Sequence, residues 1–104
     1  MRSYAKTTGG SCTKLLKRVT KSPVSAALAS NSAFLNYKSG ILTLASCPAT
    51  TMNHAVLIVG YDTNSNWKVQ NSWGTNWGAG GFVTLAAGNT CNICGMGGYY
   101  STLA

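Results

Sequence analysis

One histidine and one asparagine are spaced along the sequence so that they could meet as a catalytic pair. His54 precedes an apolar run, Ala55 to Val59, which predicts a buried strand ending in a turn at Gly60. A polar, turn-rich stretch follows, and residues 67–71 predict a second strand. Because strands joined in this way pair antiparallel, His54 at the start of the first should lie beside Asn71 at the end of the second. An amide at one imidazole nitrogen fixes the tautomer and ring plane, which leaves the other nitrogen free to exchange a proton with a nucleophile.

Tryptophans and glycines follow this pair in a recognisable order. Trp73 comes two residues after Asn71 and is placed to lie over the hydrogen bond and keep water from it. The chain resembles the papain-like cysteine proteases, nearest to the cathepsin L type, in these blocks: Asn53-His54-Ala55-Val56, Gly60-Tyr61, Asn71-Ser72-Trp73-Gly74 and Trp77-Gly78. Similar stretches occur earlier, at Pro23-Val24-Ser25, Phe34, Tyr37 to Ile41 and Cys47. The resemblance implies that His54 is the catalytic histidine, Asn71 its orienting partner and Trp73 their shield. Read singly, His54 could also be an ordinary strand-end histidine.

Short strands with few helices dominate the rest of the predicted structure. Residues 13–20 predict a short amphipathic helix with its lysines on one side, and residues 30–37 a helical turn. Further strands are predicted at 24–28, 81–85 and 99–103. This pattern fits an α+β, mainly β fold, a small twisted antiparallel β-barrel-like domain with one or two short helices. The resemblance equates residues 15–104 with the right-hand domain of papain-like proteases and leaves residues 1–14 as an N-terminal loop of uncertain register.

The nucleophile of the family has no match in this sequence. A papain-like nucleophile is a cysteine with a lowered pKa, carried in Cys-Gly-Ser-Cys-Trp on the helical half of the enzyme behind an oxyanion-hole glutamine. The nearest stretch, Gly10-Ser11-Cys12, lacks the tryptophan, and the only glutamine is Gln70. Cys12 therefore has two readings: a nucleophile, or, favoured here, the family's structural cysteine with its disulfide partner in the missing half.

The other three cysteines are assigned by the resemblance. It pairs Cys47 with Cys91 in a disulfide and leaves Cys94 as an unpaired thiol. A zinc site built from Cys91, Cys94, Cys47 and Cys12 is the rival reading, which is disfavoured because a second paired motif is lacking. We therefore expect no metal and no cofactor.

The resemblance also places a substrate cleft on this chain. The pocket for the side chain two residues before the scissile bond would be formed by Ala27, Met52, Ala55 and Met96. Asn53 would offer its backbone carbonyl to the substrate, and Trp77 would form an apolar wall on the leaving-group side. These groups include no carboxylate, so we expect the pocket to accept Leu, Val, Phe or Tyr and to reject Arg. Each of them could alternatively be a core residue.

The charge of the chain limits its partners. The net charge is +7, from eight basic residues against Asp62 as the only acidic side chain, and the basic residues concentrate before residue 22. Nucleic-acid binding is disfavoured because these residues are not interleaved with aromatic ones, so a solvated face or an acidic partner chain is the preferred reading. No apolar stretch is long enough to predict a membrane span.

The cysteines and the N-terminal residues give conflicting indications of the cellular compartment. The first residues have no apolar region typical of a secretion signal, whereas four cysteines in a small chain favour an oxidising compartment. A piece of a longer lysosomal or secreted precursor, or a truncated relative of one, reconciles the two.

Two functions follow from these observations. In the first, the chain is part of a papain-like cysteine endopeptidase that cleaves a peptide or protein substrate. The chain provides His54 and Asn71, and a second chain or a missing N-terminal half carries the catalytic cysteine. We expect no activity from this chain alone. In the second, the chain is a catalytically inactive, protease-like structural or binding subunit.

Overall fold

The computed structural model describes residues 2–6, 9–96 and 98–103, with the strands at 2–6 and 98–103 described through their backbone. The described part of the chain contains seven strands, two α-helices and one short 3-10 helix. In chain order these are β1 (Arg2–Lys6), α1 (Cys12–Val19), β2 (Val24–Leu28), α2 (Ser32–Leu35), β3 (Ile41–Leu42), β4 (His54–Tyr61), β5 (Trp67–Gln70), β6 (Phe82–Leu85), the 3-10 helix (Thr90–Asn92) and β7 (Gly98–Leu103).

All seven strands join one sheet in the order β1-β7-β2-β4-β5-β6-β3. Neighbouring strands are antiparallel, except that the two-residue strand β3 runs parallel to β6. The predicted α+β, mainly β class is therefore confirmed. The hydrogen-bonding order has two ends, at β1 and β3, so the sheet is open, and β3 departs from the antiparallel expectation.

Period-two alternation puts one face of the central strands into the core. On β2 the buried side chains are Val24, Ala26 and Leu28, and on β5 they are Trp67 and Val69. Burial of this face holds the strand register, because a shift by one residue would bring every exposed side chain inward.

Helix α1 covers this core with one side and faces solvent with the other. Leu15 and Val19, four residues apart, are buried, whereas Lys14 and Lys17 are exposed. The Ser11 hydroxyl caps the helix by accepting a hydrogen bond from the backbone N–H of Lys14. No helix in the described part of the chain is both long and apolar enough to cross a membrane.

The N-terminal loop predicted for residues 1–14 is wrong over most of its length. Residues 2–6 form strand β1, and α1 begins at Cys12. Strand β1 forms because β7 offers it an antiparallel partner, with Arg2 opposite Leu103 and Lys6 opposite Tyr99. Thr7 and Thr8 lie outside the described residues. The division of the chain at residue 15 stays a prediction.

Cys12 is a structural disulfide cysteine, as the favoured interpretation predicted, but its partner is Cys94 and not a residue of the missing half. The interpretation of Cys12 as a nucleophile and the prediction of a free thiol at Cys94 are therefore wrong. Their Cα atoms are 5.1 Å apart, since the backbone N–H of Gly10 donates to the carbonyl of Cys94 and brings the start of α1 onto this segment. The Cys47–Cys91 disulfide implied by the resemblance is present.

Candidate functional site

The antiparallel pair of β4 and β5 brings His54 and Asn71 together. His54 is the first residue of β4, and Asn71 directly follows β5, whose last residue, Gln70, pairs with Leu57. The backbone N–H of Asn71 donates to the carbonyl of Gly81 at 3.0 Å, which fixes the end of the strand. The side chains meet with 2.7 Å between His54 Nε2 and Asn71 Oδ1, which is a hydrogen-bond distance.

A second hydrogen bond determines which imidazole nitrogen carries the proton. The backbone N–H of Ser72 donates to Asn71 Oδ1 at 2.8 Å, so the oxygen of the amide, and not its nitrogen, faces these donors. His54 Nε2 must then donate to the same oxygen. In the neutral ring Nδ1 therefore carries the lone pair and is the nitrogen able to accept a proton from a nucleophile.

Aromatic rings surround His54. Trp73 stacks on the imidazole with ring centroids 4.6 Å apart and an interplanar angle of 28°. Phe34 lies edge-on to both rings, at centroid distances of 6.0 Å from His54 and 5.8 Å from Trp73. Trp77 contacts Trp73 at 5.5 Å in a perpendicular arrangement. These contacts fix the imidazole plane, which a proton-transfer group requires.

Helix α2 places the phenyl ring in this cluster. The Asn31 side chain caps the helix by accepting from the backbone N–H of Phe34, whose side chain is fully buried. Trp77 Nε1–H donates to the carbonyl of Leu35 at 3.1 Å, which ties the second tryptophan to the end of the same helix. A one-turn helix thus serves as the support for the rings around His54.

The small residues predicted for the substrate pocket face each other across two strands. Ala27 on β2 and Ala55 on β4 are register partners, so their side chains lie on the same face of the sheet. Asn53 immediately precedes β4, and its side chain makes three hydrogen bonds with Ser30. The backbone N–H of Asn53 donates to the carbonyl of Leu28 at 2.9 Å, which ties the residue to the end of β2.

The two methionines predicted for the pocket lie on segments beside these strands. Met52 is half-buried and comes two residues before β4, and Met96 is half-buried two residues before β7. Since β7 begins with Gly98 opposite Ala26 of β2, the segment with Met96 approaches the same end of β2 as Ala27. The strand register therefore pairs Ala27 with Ala55 and brings the Met96 segment near the same end of β2, whereas Trp77 belongs to the aromatic cluster. The substrate pocket itself stays a prediction.

Three contributors to the site were not assigned a site role from the sequence. Phe34 packs on His54, Ser72 fixes the orientation of the Asn71 amide, and Ser30 holds Asn53. The sequence carried a signal only for Phe34, because Asn31 three residues earlier is a favoured helix cap.

The cysteines leave no thiol for either catalysis or zinc binding in this chain. The sequence contains four, and all are paired, as Cys12–Cys94 and Cys47–Cys91. Within residues 9–96, no group of three or more His, Cys, Asp or Glu side chains is arranged to hold a metal ion. A nucleophile for the site would have to come from another segment.

The mainly β fold and the His54–Asn71–Trp73 arrangement agree with the match to known families. The family model described as papain family cysteine protease matches residues 1–102, and the chain belongs to this family. Its 104 residues cover the C-terminal part of the family.

The relatives of this chain include cathepsins and a plant protease. The chain is 38% identical to cathepsin L 2 of Paramecium tetraurelia over 84 residues, which are 81% of this chain and 26% of that protein. It is 45% identical to cathepsin S of Mus musculus over 86 residues, 79% of this chain and 25% of that protein. Among solved structures, the bromelain protease of Ananas comosus in complex with the E64 inhibitor matches with a TM-score of 0.85 and 33% identity, covering 97% of this chain and 50% of that chain. The chain thus spans about a quarter of the curated relatives and half of the bromelain chain.

Proposed function

We propose that this chain is the part of a papain-like cysteine endopeptidase that provides the catalytic His54 and its orienting partner Asn71. The observation that supports this most is the 2.7 Å contact between His54 Nε2 and Asn71 Oδ1, under the stacked ring of Trp73. An imidazole held in one tautomer and one plane is what proton transfer to and from a thiol requires.

The proposed chemistry uses a cysteine thiol from the missing N-terminal half or from a second chain. His54 Nδ1 accepts the thiol proton, and the resulting thiolate attacks the carbonyl carbon of the scissile peptide bond. The imidazolium then donates that proton to the leaving amine, and water hydrolyses the acyl-enzyme. Asn71 holds the ring throughout because it accepts from Nε2–H in both the neutral and the charged imidazole. Trp73 shields the pair.

The substrate preference we propose is apolar two residues before the scissile bond. Ala27 and Ala55 present small side chains on one sheet face, and Met52 and Met96 are flexible apolar groups on the adjoining segments. A pocket of this composition offers no carboxylate to an arginine and favours Leu, Val, Phe or Tyr.

The face beside the catalytic pair supports a covering partner. A groove lies there between the exposed side chains of Ala55, Gln70 and Ser72. Asn71 also lines it, is 6% exposed, and its Nδ2 has no hydrogen-bond partner among the described residues. A buried amide without an acceptor is costly, so this position favours a second half that supplies one. The cathepsin-like relatives and the two disulfides support a lysosomal or secreted location.

A catalytically inactive subunit is the second candidate. The chain contains no free thiol and therefore has no cysteine nucleophile of its own. Its only glutamine, Gln70, is adjacent to Asn71 and is not in the position of the family's oxyanion-hole glutamine. In this case the same exposed groove would bind a structural partner.

Intact-mass analysis with an epoxide probe for papain-type thiols tests the two candidates. Protein purified from its source is incubated with the probe and measured unreduced and then reduced. A second chain or a longer precursor that carries the adduct supports the endopeptidase. If only the mass of this chain is found and no adduct is present, the endopeptidase proposal is overturned and the inactive subunit is favoured.

A further inference from the structure

A second groove lies beside Trp77, one of the rings of the aromatic cluster. Residues 35–38, at the end of α2, form one wall, and residues 76–78 form the other. Leu35 is 52% exposed and Trp77 half-buried, which gives the groove an apolar wall. Lys38 is its only charged residue. We call it the Lys38 groove.

Hydrogen bonds hold both walls of the Lys38 groove in place. Trp77 Nε1–H, from one wall, donates to the carbonyl of Leu35 in the other at 3.1 Å. The Tyr37 hydroxyl donates to the carbonyl of Gly40 at 2.6 Å and accepts from the backbone N–H of Thr84. The groove is therefore formed before any ligand arrives, which lowers the entropic cost of binding.

No acidic side chain of this chain neutralises the groove. Asp62 is the only one in the sequence, and its carboxylate accepts hydrogen bonds from Asn64 and Asn66 in its own turn. The Lys38 ammonium is thus a cation on an exposed surface without an acidic side chain to pair with. A carboxylate from outside the chain is the natural partner for it.

The position of the groove along a peptide follows from the ring contacts. The centroid of Trp73 lies 4.6 Å from that of His54 and 5.5 Å from that of Trp77, so Trp77 is at most about 10 Å from the imidazole. An extended peptide advances about 3.3 Å per residue. The groove begins at Trp77 and would therefore be reached within about three residues of the bond that is cleaved.

We propose that the Lys38 groove binds a carboxylate on the leaving-group side of a peptide. This inference rests on the proposed function, because Trp77 is assigned to the leaving-group side of the substrate only as part of that proposal. The carboxylate is either the side chain of Asp or Glu or a free C-terminus, and it pairs with Lys38 while the peptide backbone lies against Trp77.

Peptide binding to this chain tests the proposal without any need for cleavage. Three peptides are compared: Ac-Ala-Ala-Glu-Ala-NH2, its Gln counterpart, and the Gln peptide with a free C-terminus. The readout is the NMR signal of the Trp77 indole N–H, which lies in the groove wall. The buried Trp67 indole, which donates to the carbonyl of Gly88, reports on folding in the same spectrum.

The matched variants are Lys38→Met, which keeps the apolar stem, and Lys68→Met, which removes an exposed lysine of β5 outside the groove. We expect the Glu peptide, the free C-terminus peptide or both to bind about two- to fivefold more tightly than the neutral amide, the size of an exposed ion pair. Lys38→Met should abolish this preference and Lys68→Met should retain it.

The peptide that binds more tightly, the one with Glu or the one with a free C-terminus, identifies whether the groove binds an acidic side chain or a C-terminal carboxylate. Equal binding of all three peptides, no shift of the Trp77 signal with any of them, or a preference that survives Lys38→Met overturns the proposal. Because the assay needs no nucleophile, none of these outcomes bears on the catalytic role of His54, and inactivity of a reconstituted enzyme leaves the groove result intact.

Discussion

Replacing Cys12 and Cys94 together by alanine removes the covalent link between the start of α1 and the segment before β7. Both segments are packed closely: a Cβ on Gly9 would lie 2.8 Å from the carbonyl oxygen of Gly95. With Cys47–Cys91 intact, the shortest covalent path between Cys12 and Cys94 runs through that second bridge. The path is about 40 residues long, for which the chain-entropy model gives about 4 kcal/mol.

Urea unfolding under non-reducing conditions measures this loss. We expect the Cys12→Ala/Cys94→Ala variant to lose about 3–4 kcal/mol of unfolding free energy. Its m-value should rise, because the unfolded chain without the bridge expands and exposes more surface.

The Cys47→Ala/Cys91→Ala variant is the matched control. Its covalent path through the remaining bridge is of similar length, and both cysteines are completely buried, so it should lose at least as much. A Cys12→Ala/Cys94→Ala variant that unfolds at the wild-type urea concentration, with an unchanged m-value, would refute this account of the bridge.

Three further predictions concern stability. Trp67→Phe should lower the free energy of unfolding in urea by about 2 kcal/mol, because it leaves the carbonyl of Gly88 without the indole donor and opens a cavity in the core. A loss below about 0.5 kcal/mol would contradict this. Backbone and side-chain N–H groups of Asn66 hold the pKa of Asp62 below its ordinary value of 3.8. Asp62 therefore adds stability at pH values above 3.8, and this contribution is lost as the pH falls through its folded pKa. The wild type should be more stable than Asp62→Asn at pH 6 but not at strongly acidic pH. A difference in unfolding free energy that does not change with pH would contradict this. Ser11→Ala should cost about 1 kcal/mol through loss of the helix cap, read from the same unfolding curves, and no change would show that the cap does not contribute.

Local patterns were enough to predict the centre of the fold. Strand β2 was expected at residues 24–28 and occurs there, and the β4–β5 pair places His54 against Asn71 as its antiparallel geometry requires. These features depend on neighbouring residues, on alternation of buried side chains and on one short connection, all of which the sequence displays.

Features that depend on distant partners were missed. Strand β1 is polar and forms only because β7, at the other end of the chain, supplies its hydrogen bonds. Four cysteines allow three pairings, and spacing alone cannot select among them, so Cys12 and Cys94 were not expected to meet.

Reconstitution of cleavage tests the central proposal most directly. The chain would be folded together with an N-terminal half of a papain-family protease that carries the catalytic cysteine, and the complex isolated by size before assay. We predict thiol-dependent cleavage of a peptide with Leu or Phe two residues before the scissile bond, reduced about 10²–10⁴-fold in kcat by His54→Ala and unchanged by Lys68→Met. An isolated complex that does not cleave, or one whose cleavage survives His54→Ala, would contradict the assignment of His54 as the catalytic base.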